Sequence, residues 1–424
     1  MNPGQLAIIA VGAVLMIAAP VHHPAHATTF YVRSTGSDSN DGRTPGTAFA
    51  TIAKAAADTR GSDTVVVGPG TYREGDIKPD GNGRRTELVR FIADTSGLQT
   101  GDQPGQVLID ASCCDHAFDI SARPWIVIDG FSIMNAFREG IAIKSASDNS
   151  VVANCVIFSN RERGIWVQDS NDVILFNNLV YANGNSGIDV GGGNSARDGA
   201  SGAAILGNTV YANARDGIRV EGVVPARNVS VIHNVIVDNE RIGLNLKEAS
   251  SSGFVGQWNL LNGNQSSYNT TTVARGTLDL EHEPLLVAPA GSDQVLGGSG
   301  HDDDDFRLRQ VAAGQASQSE AVDWSPIPSK KLRLHDAYTR TDGLPDLGPI
   351  DLGFHMGSRT DFLSGIKSRP ESRIRALRKR AQKCERLAAK AAEKRQTGRG
   401  PCLKAKASAR LVKKCGRGIA AICG

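Results

Sequence analysis

The 424-residue chain is 40% hydrophobic but only 5% aromatic, so it can bury a sizeable core that aliphatic residues must fill. Its net charge of +3 hides a division: residues 366–424 hold 19 Lys and Arg against three Glu, a net of +16, leaving −13 on the residues before them. No stretch after residue 27 is apolar enough to span a bilayer, and a membrane anchor before it would need a longer apolar run than the chain offers.

Residues 1–27 read as a secretory signal peptide. An apolar run from Leu6 to Ala19 precedes Ala25-His26-Ala27, predicting cleavage before Thr28 and a secreted protein, extracellular or periplasmic. The next segment, from Thr29 to Asp58, reads as a strand, a polar turn and one short helix placed to cover the open end of a stack of β coils. Turn chemistry accounts for Asp38, Asn40 and Asp41, with a calcium loop as the alternative. Asp63 to Val67, followed by Pro69-Gly70-Thr71-Tyr72, is the expected first coil strand. Cys113-Cys114 is either a vicinal disulfide or two neighbours on opposite faces of a strand.

A repeat then dominates. Gly140-Ile-Ala-Ile, Gly164-Ile-Trp-Val, Gly187-Ile-Asp-Val, Gly217-Ile-Arg-Val and Gly243-Leu-Asn-Leu follow one another at spacings of 24, 23, 30 and 26 residues. A second column holds Asn160, Asn183, Asn213, Asn239 and Asn264; a third holds Asn154, Asn178, Asn208, Asn234 and Asn259. This period leaves no room for a helix in each unit and marks a β-solenoid. The coil length predicts an all-β fold, a right-handed parallel β-helix, over residues 28–290 with its N-terminal cap. Alternation places Ile188 and Val190 inside and Asp189 outside. Asparagine suits the tight turns, and glycine permits an entry that a Cβ would obstruct. Cys155 reads as a buried small apolar residue.

Residues 291–365 read as a C-terminal coil and an extended strap, with the exposed acidic run His301-Asp302-Asp303-Asp304-Asp305. Residues 366–424 form a separate basic, Cys-rich tail, a helical hairpin broken at Gly398 to Pro401. Cys384, Cys402, Cys415 and Cys423 predict two disulfides in one of three pairings, with a zinc site as the alternative that export disfavours.

The opening phrases Tyr31-Val32, Gly36-Ser37-Asp38, Asp41-Gly42, Ala48-Phe-Ala-Thr-Ile52 and Pro69-Gly-Thr-Tyr72 resemble the start of secreted bacterial β-helix proteins. The nearest likeness is to the family 9 polysaccharide lyases of the pectate lyase type, over most of residues 29–357 and none of the tail. The resemblance implies a calcium ion on an Asp-Asp-Gly-x-Asp phrase, a further acid one coil earlier, and a Lys that abstracts the proton. In this chain the phrase is Asn185-Ser186-Gly187-Ile188-Asp189, in which only Asp189 is an acid; the earlier acid falls near Glu162 and the Lys position on Arg219. The expected metal set is Asp189, Asp216 and Glu162.

β-Elimination from a polyuronide needs the substrate carboxylate neutralised and a base within reach of the carbon-bound hydrogen. Arg219 and Lys247 are the candidates for those tasks, and Trp166, Asn245 and Glu221 for holding the sugar. Asp189 and Arg219 are also adjacent rungs of one ladder, where a plain cross-strand ion pair is the common meaning. Two functions therefore stand: a lyase on an acidic polysaccharide, or a non-catalytic surface protein that binds such a polymer while the tail grips an anionic envelope or extracellular polymer. Nucleic acid is disfavoured as a partner, because the tail lacks aromatics and the chain is exported.

Overall fold

The computed structural model describes residues 27–191, 193, 199–247, 250–269, 276–332, 334–357, 375–387 and 415. The expected signal peptide up to residue 26, residues 192 and 194–198 of the long Gly191–Ala203 connection, the expected second tail helix, Cys402 and Cys423 lie outside these residues.

The repeat forms a parallel β-solenoid with three sheets of nine, eight and seven strands, each strand pairing with its counterpart one coil away. The third sheet holds the Gly-led phrases, and its register runs Ile141, Ile165, Ile188, Ile218, Leu244 and then Ile143, Val167, Val190, Val220, Leu246. All ten are buried in one aliphatic core column. Each burial removes apolar surface at roughly 25 cal/mol per Å². The same register sends Asp119, Ala142, Trp166, Asp189, Arg219 and Asn245 outward as a second ladder. Before it, the helix Ile52–Asp58, capped by Thr51, buries Ile52, Ala55 and Ala56 at the N-terminal end. Asp38 accepts from the backbone of Ala50 and Thr51, so the polar turn is turn chemistry.

Two of the three turns in each coil of the repeat place one residue in the left-handed region immediately before a ladder side chain. At the turn into the second sheet these are Asn154, Asn177, Gly207, His233 and Trp258. The buried ladder that follows is Asn178, Asn208, Asn234 and Asn259, each Nδ2 donating to the next Oδ1 at 3.0 Å until Asp279 accepts from Asn259. The expected third column is corrected at its first member: Asn154 occupies the left-handed slot, which Asn tolerates. Cys155 stands in the ladder position and donates its backbone N–H to Asn178 Oδ1. The other ladder, Asn160 to Asn264, runs as expected. A Cβ at Gly187 would come within 2.7 Å of Asn213 Nδ2, which explains glycine at this column.

The strap lies on the outer face of the second sheet, where Tyr181, Phe306 and Trp324 join a second apolar cluster. Gly353 donates to His233 O and Phe354 to Thr209 Oγ1, tying the strap to the turn and strand beneath. The tail is not separate in space: residues 375–387 are helical, and Leu377, Ala381 and Cys384 are buried in that same cluster. Cys384 is bonded to Cys415, whose carbonyl accepts from Trp258 Nε1 at 3.1 Å. Cys113 and Cys114 are bonded to each other, the first of the two readings of that pair.

Candidate functional site

The outward face of the third sheet carries a continuous chain of charged groups. Lys78 and Lys144 flank Asp119 at 3.0 and 3.3 Å. Lys144 Nζ also lies 3.3 Å from His116 Nε2, and His116 Nδ1 lies 3.2 Å from Glu139 Oε2. Arg163 then spans two coils, with Nη1 2.8 Å from Glu139 Oε1 and Nε 2.7 Å from Asp189 Oδ2. Arg219 joins Asp189 at 3.4 Å and pairs with Glu221, which Lys247 meets at 3.2 Å.

Burial sets the electrostatics of this chain. Glu139 is fully buried; desolvation alone would raise its pKa, but His116, Arg163 and Arg138 overcome it and hold the carboxyl below its ordinary range. At Asp119 burial likewise opposes, and Ser121, Lys78 and Lys144 prevail. Asp189 goes the other way: desolvation outweighs Arg163 and Arg219, Asp216 adds repulsion, and its pKa is raised.

Of the residues expected from sequence, Asp189, Arg219, Glu221 and Lys247 are linked directly. Asp216 accepts from Asn245 Nδ2 at 2.9 Å and from the Ile242 backbone. Glu162 stands apart in the turn, where it accepts from Asn185 Nδ2 at 2.9 Å. The expected metal set therefore does not converge: Asp189, Asp216 and Glu162 each serve a different partner, and two arginines occupy the space a cation would need beside Asp189. Among the described residues, one group of three acids could share an ion, Asp323, Asp346 and Asp351, and it lies in the strap. Its oxygens accept from Gln310, Thr339, His355 and the Asp323 backbone N–H.

Trp166 is half-exposed on this face, with the Arg163 guanidinium 5.2 Å from its ring centroid. Its neighbours along the ladder are Ala142 and Asp189. The sequence reading missed Glu139, Arg163 and His116. Arg163 and Glu139 occupy the same turn position one residue before the glycine, so the repeat contained a signal for them. His116 precedes the first Gly-led phrase and has no counterpart in the repeat.

Residues 107–277 match the family described as periplasmic copper-binding protein (NosD). No curated protein matches the chain at a significant level. Among solved structures, pectate lyase Pel9A is 14% identical, over 78% of this chain and 90% of that one, with a TM-score of 0.45. A rhamnogalacturonan lyase is 13% identical over 80% and 98%, with a TM-score of 0.44. An alginate lyase from Paenibacillus sp. str. FPU-7 is 16% identical over 56% and 77%, with a TM-score of 0.43.

Proposed function

We propose that this is an exported polysaccharide-binding protein whose third-sheet face holds an acidic glycan without a metal ion. The observation that carries the reading is Arg163: one guanidinium lies over the Trp166 ring and ion-pairs with Glu139 and Asp189. An aromatic face accepts the C–H side of a sugar ring, and the arginine beside it offers a planar fork to a uronate carboxylate. Arg163 and Arg219 keep 20% and 24% of their side-chain surface exposed, so a ligand carboxylate can exchange with their present partners. Lys144 and Lys247 extend the basic groups along the ladder, which suits a polymer rather than a single sugar.

The residues do not fit calcium at Asp189, so no elimination step is routed through a metal. Copper fits no better: imidazole and thiolate donors suit it, and the one candidate group among the described residues is all carboxylate. An elimination would also require a base, and Arg219 and Lys247 are both held by Glu221.

The tail supplies a second contact. Arg375, Lys379, Lys383 and Arg386 lie on the exposed side of the helix whose other side is buried on the solenoid. Their spacing of four, four and three residues forms one basic stripe, suited to an anionic envelope or extracellular polymer.

The test uses mature protein and immobilised pectate, rhamnogalacturonan and alginate, with calcium or with chelator, while ultraviolet absorbance reports unsaturated uronides. Retention that is indifferent to chelator, lost in Trp166→Ala and accompanied by no absorbance is expected. Calcium-dependent absorbance would replace the binding reading with the lyase.

A further inference from the structure

Cys113–Cys114 closes a ring between adjacent residues. A disulfide stabilises a fold mainly by restricting the unfolded chain, and the effect grows with the loop it closes. Cys384–Cys415 spans 31 residues and can act in that way, whereas Cys113–Cys114, with a separation of one, encloses no loop. Stability therefore does not account for it. Access sets the two bonds apart as well. Cys113 is exposed and Cys114 half-buried, so a thiolate can reach the bond from solvent, while Cys384 and Cys415 are both buried.

The ring also sits against one junction of the charged chain. Cys114 lies two residues before His116, and its carbonyl accepts from the backbone of Phe137, two residues before Glu139, at 3.0 Å. Asp115 O accepts in the same way from Arg138 at 2.9 Å. On its other side the turn lies flush against Gly75, where a Cβ would come within 2.7 Å of Cys114 Cβ and 2.5 Å of His116 O. The ring is thus held from both sides, and a change in its shape presses on its neighbours. His116 Nδ1 and Glu139 Oε2 are 3.2 Å apart, both buried and neither with a hydrogen-bond partner, so a small movement of either turn alters their contact. Glu139 in turn holds Arg163 Nη1 at 2.8 Å.

We propose that Cys113–Cys114 is a thiol–disulfide exchange site for a dithiol, and that its reduction loosens His116 from Glu139 and weakens the hold of the third-sheet face on acidic glycan. A donor thiolate attacks one sulfur, breaks the S–S bond and forms a mixed disulfide, which the donor's second thiol then displaces. The donor leaves as a disulfide, and its two electrons and two protons remain on Cys113 and Cys114 as thiols. The exchange site stands without the acidic-glycan reading; the effect on the face rests on it. The test equilibrates the full chain with graded ratios of reduced to oxidised dithiothreitol, traps thiols with iodoacetamide and reads each pair by peptide mass spectrometry. Cys113–Cys114 is half reduced at a ratio at least tenfold lower than Cys384–Cys415 requires. The imidazole NMR signals of His116, identified with His116→Gln, move on that reduction, and the double variant Cys113→Ser/Cys114→Ser holds them at the reduced position without reductant. Retention on immobilised pectate weakens at least threefold in both cases. Reduction of Cys113–Cys114 no earlier than Cys384–Cys415 overturns the exchange site. His116 signals indifferent to reduction and to the double variant overturn the coupling, and equal pectate retention in both states overturns the effect on the face. If the chain retains no acidic polymer in either state, the glycan reading fails with its consequence, and the mass and NMR readouts still decide the exchange site.

Discussion

Arg163 donates Nε–H to Asp189 Oδ2 at 2.7 Å, across one coil of the solenoid, while its Nη1 reaches Glu139 in the coil before. The two carboxylates lie two coils apart, one on either side of the coil that carries Arg163, yet share one cation. Arg163→Ala leaves Glu139, fully buried, and Asp189, 5% exposed, short of charge compensation. Removing one partner of a buried pair costs about 3–5 kcal/mol; with Arg163 one-fifth exposed, roughly 2–3 kcal/mol is expected. Urea denaturation measures it, and a loss below about 1 kcal/mol would show that the pairs are only surface contacts.

The asparagine ladders make a second prediction. Asn213 Oδ1 accepts from both Asn183 N and Asn183 Nδ2, and its own Nδ2 donates to Asn239. Asn213→Ala strands buried donors on one side and an acceptor on the other, so a loss of about 2–4 kcal/mol is expected. Asn213→Asp keeps the acceptor and removes the donor, and it should cost less at low pH than at neutral pH. Thermal melts of the two variants at pH 4 and pH 7 check the order.

Asp351 gives the pH dependence of the strap. Burial, then repulsion from Asp346, pushes its pKa up to about 6. The folded state therefore holds this proton more tightly than the unfolded chain, whose aspartates titrate near ~3.9. The contribution is fully present below that value and is lost as pH rises through about 6. Asp119 and Glu139 act in the opposite sense, since their lowered pKa values contribute stability that falls away as pH drops. The difference between wild type and Asp351→Asn isolates the strap. Its stability relative to the variant should decline between pH 4 and pH 6, by roughly 1–3 kcal/mol, and a difference that stays flat across that window contradicts the assignment.

Reduction of Cys384–Cys415 should be visible in one side chain. Trp258 is fully buried and donates to Cys415 O. Freeing the tail exposes that indole to water. Mild reductant is expected to shift tryptophan emission to the red, and Trp258→Phe should remove most of the shift. A shift of equal size in that variant would place the change elsewhere.

The solenoid was legible because its inward positions must repeat: Ile165, Ile188 and Ile218 fill one column, and the pattern survives a spacing change from 23 to 30 residues. The slip at Asn154 has a simple origin. Asn177 and Asn178 are adjacent and chemically identical, and only the backbone tells which one is left-handed and which one is the rung. Asp189 and Arg219 were legible as a pair because strand register makes them neighbours. His116 and Glu139 were not, since their contact joins a position before the repeat to a turn within it. The docking of the tail was equally hidden: it depends on single meetings such as Trp258 with Cys415, which leave no periodic trace.

In the Asn178 ladder the side-chain-to-side-chain bonds run in one direction only, each rung giving one amide hydrogen to the next coil along the chain and the other to a backbone carbonyl of the coil before. Such a relay has a beginning and an end that are chemically different. At Asp279 the receiving group is a carboxylate, which takes the hydrogen and has none to hand on. Coil number is thereby written into one side chain. With an amide in its place, the last rung would offer a donor outward, an invitation for a further coil, from this chain or another, to continue the stack into a fibre.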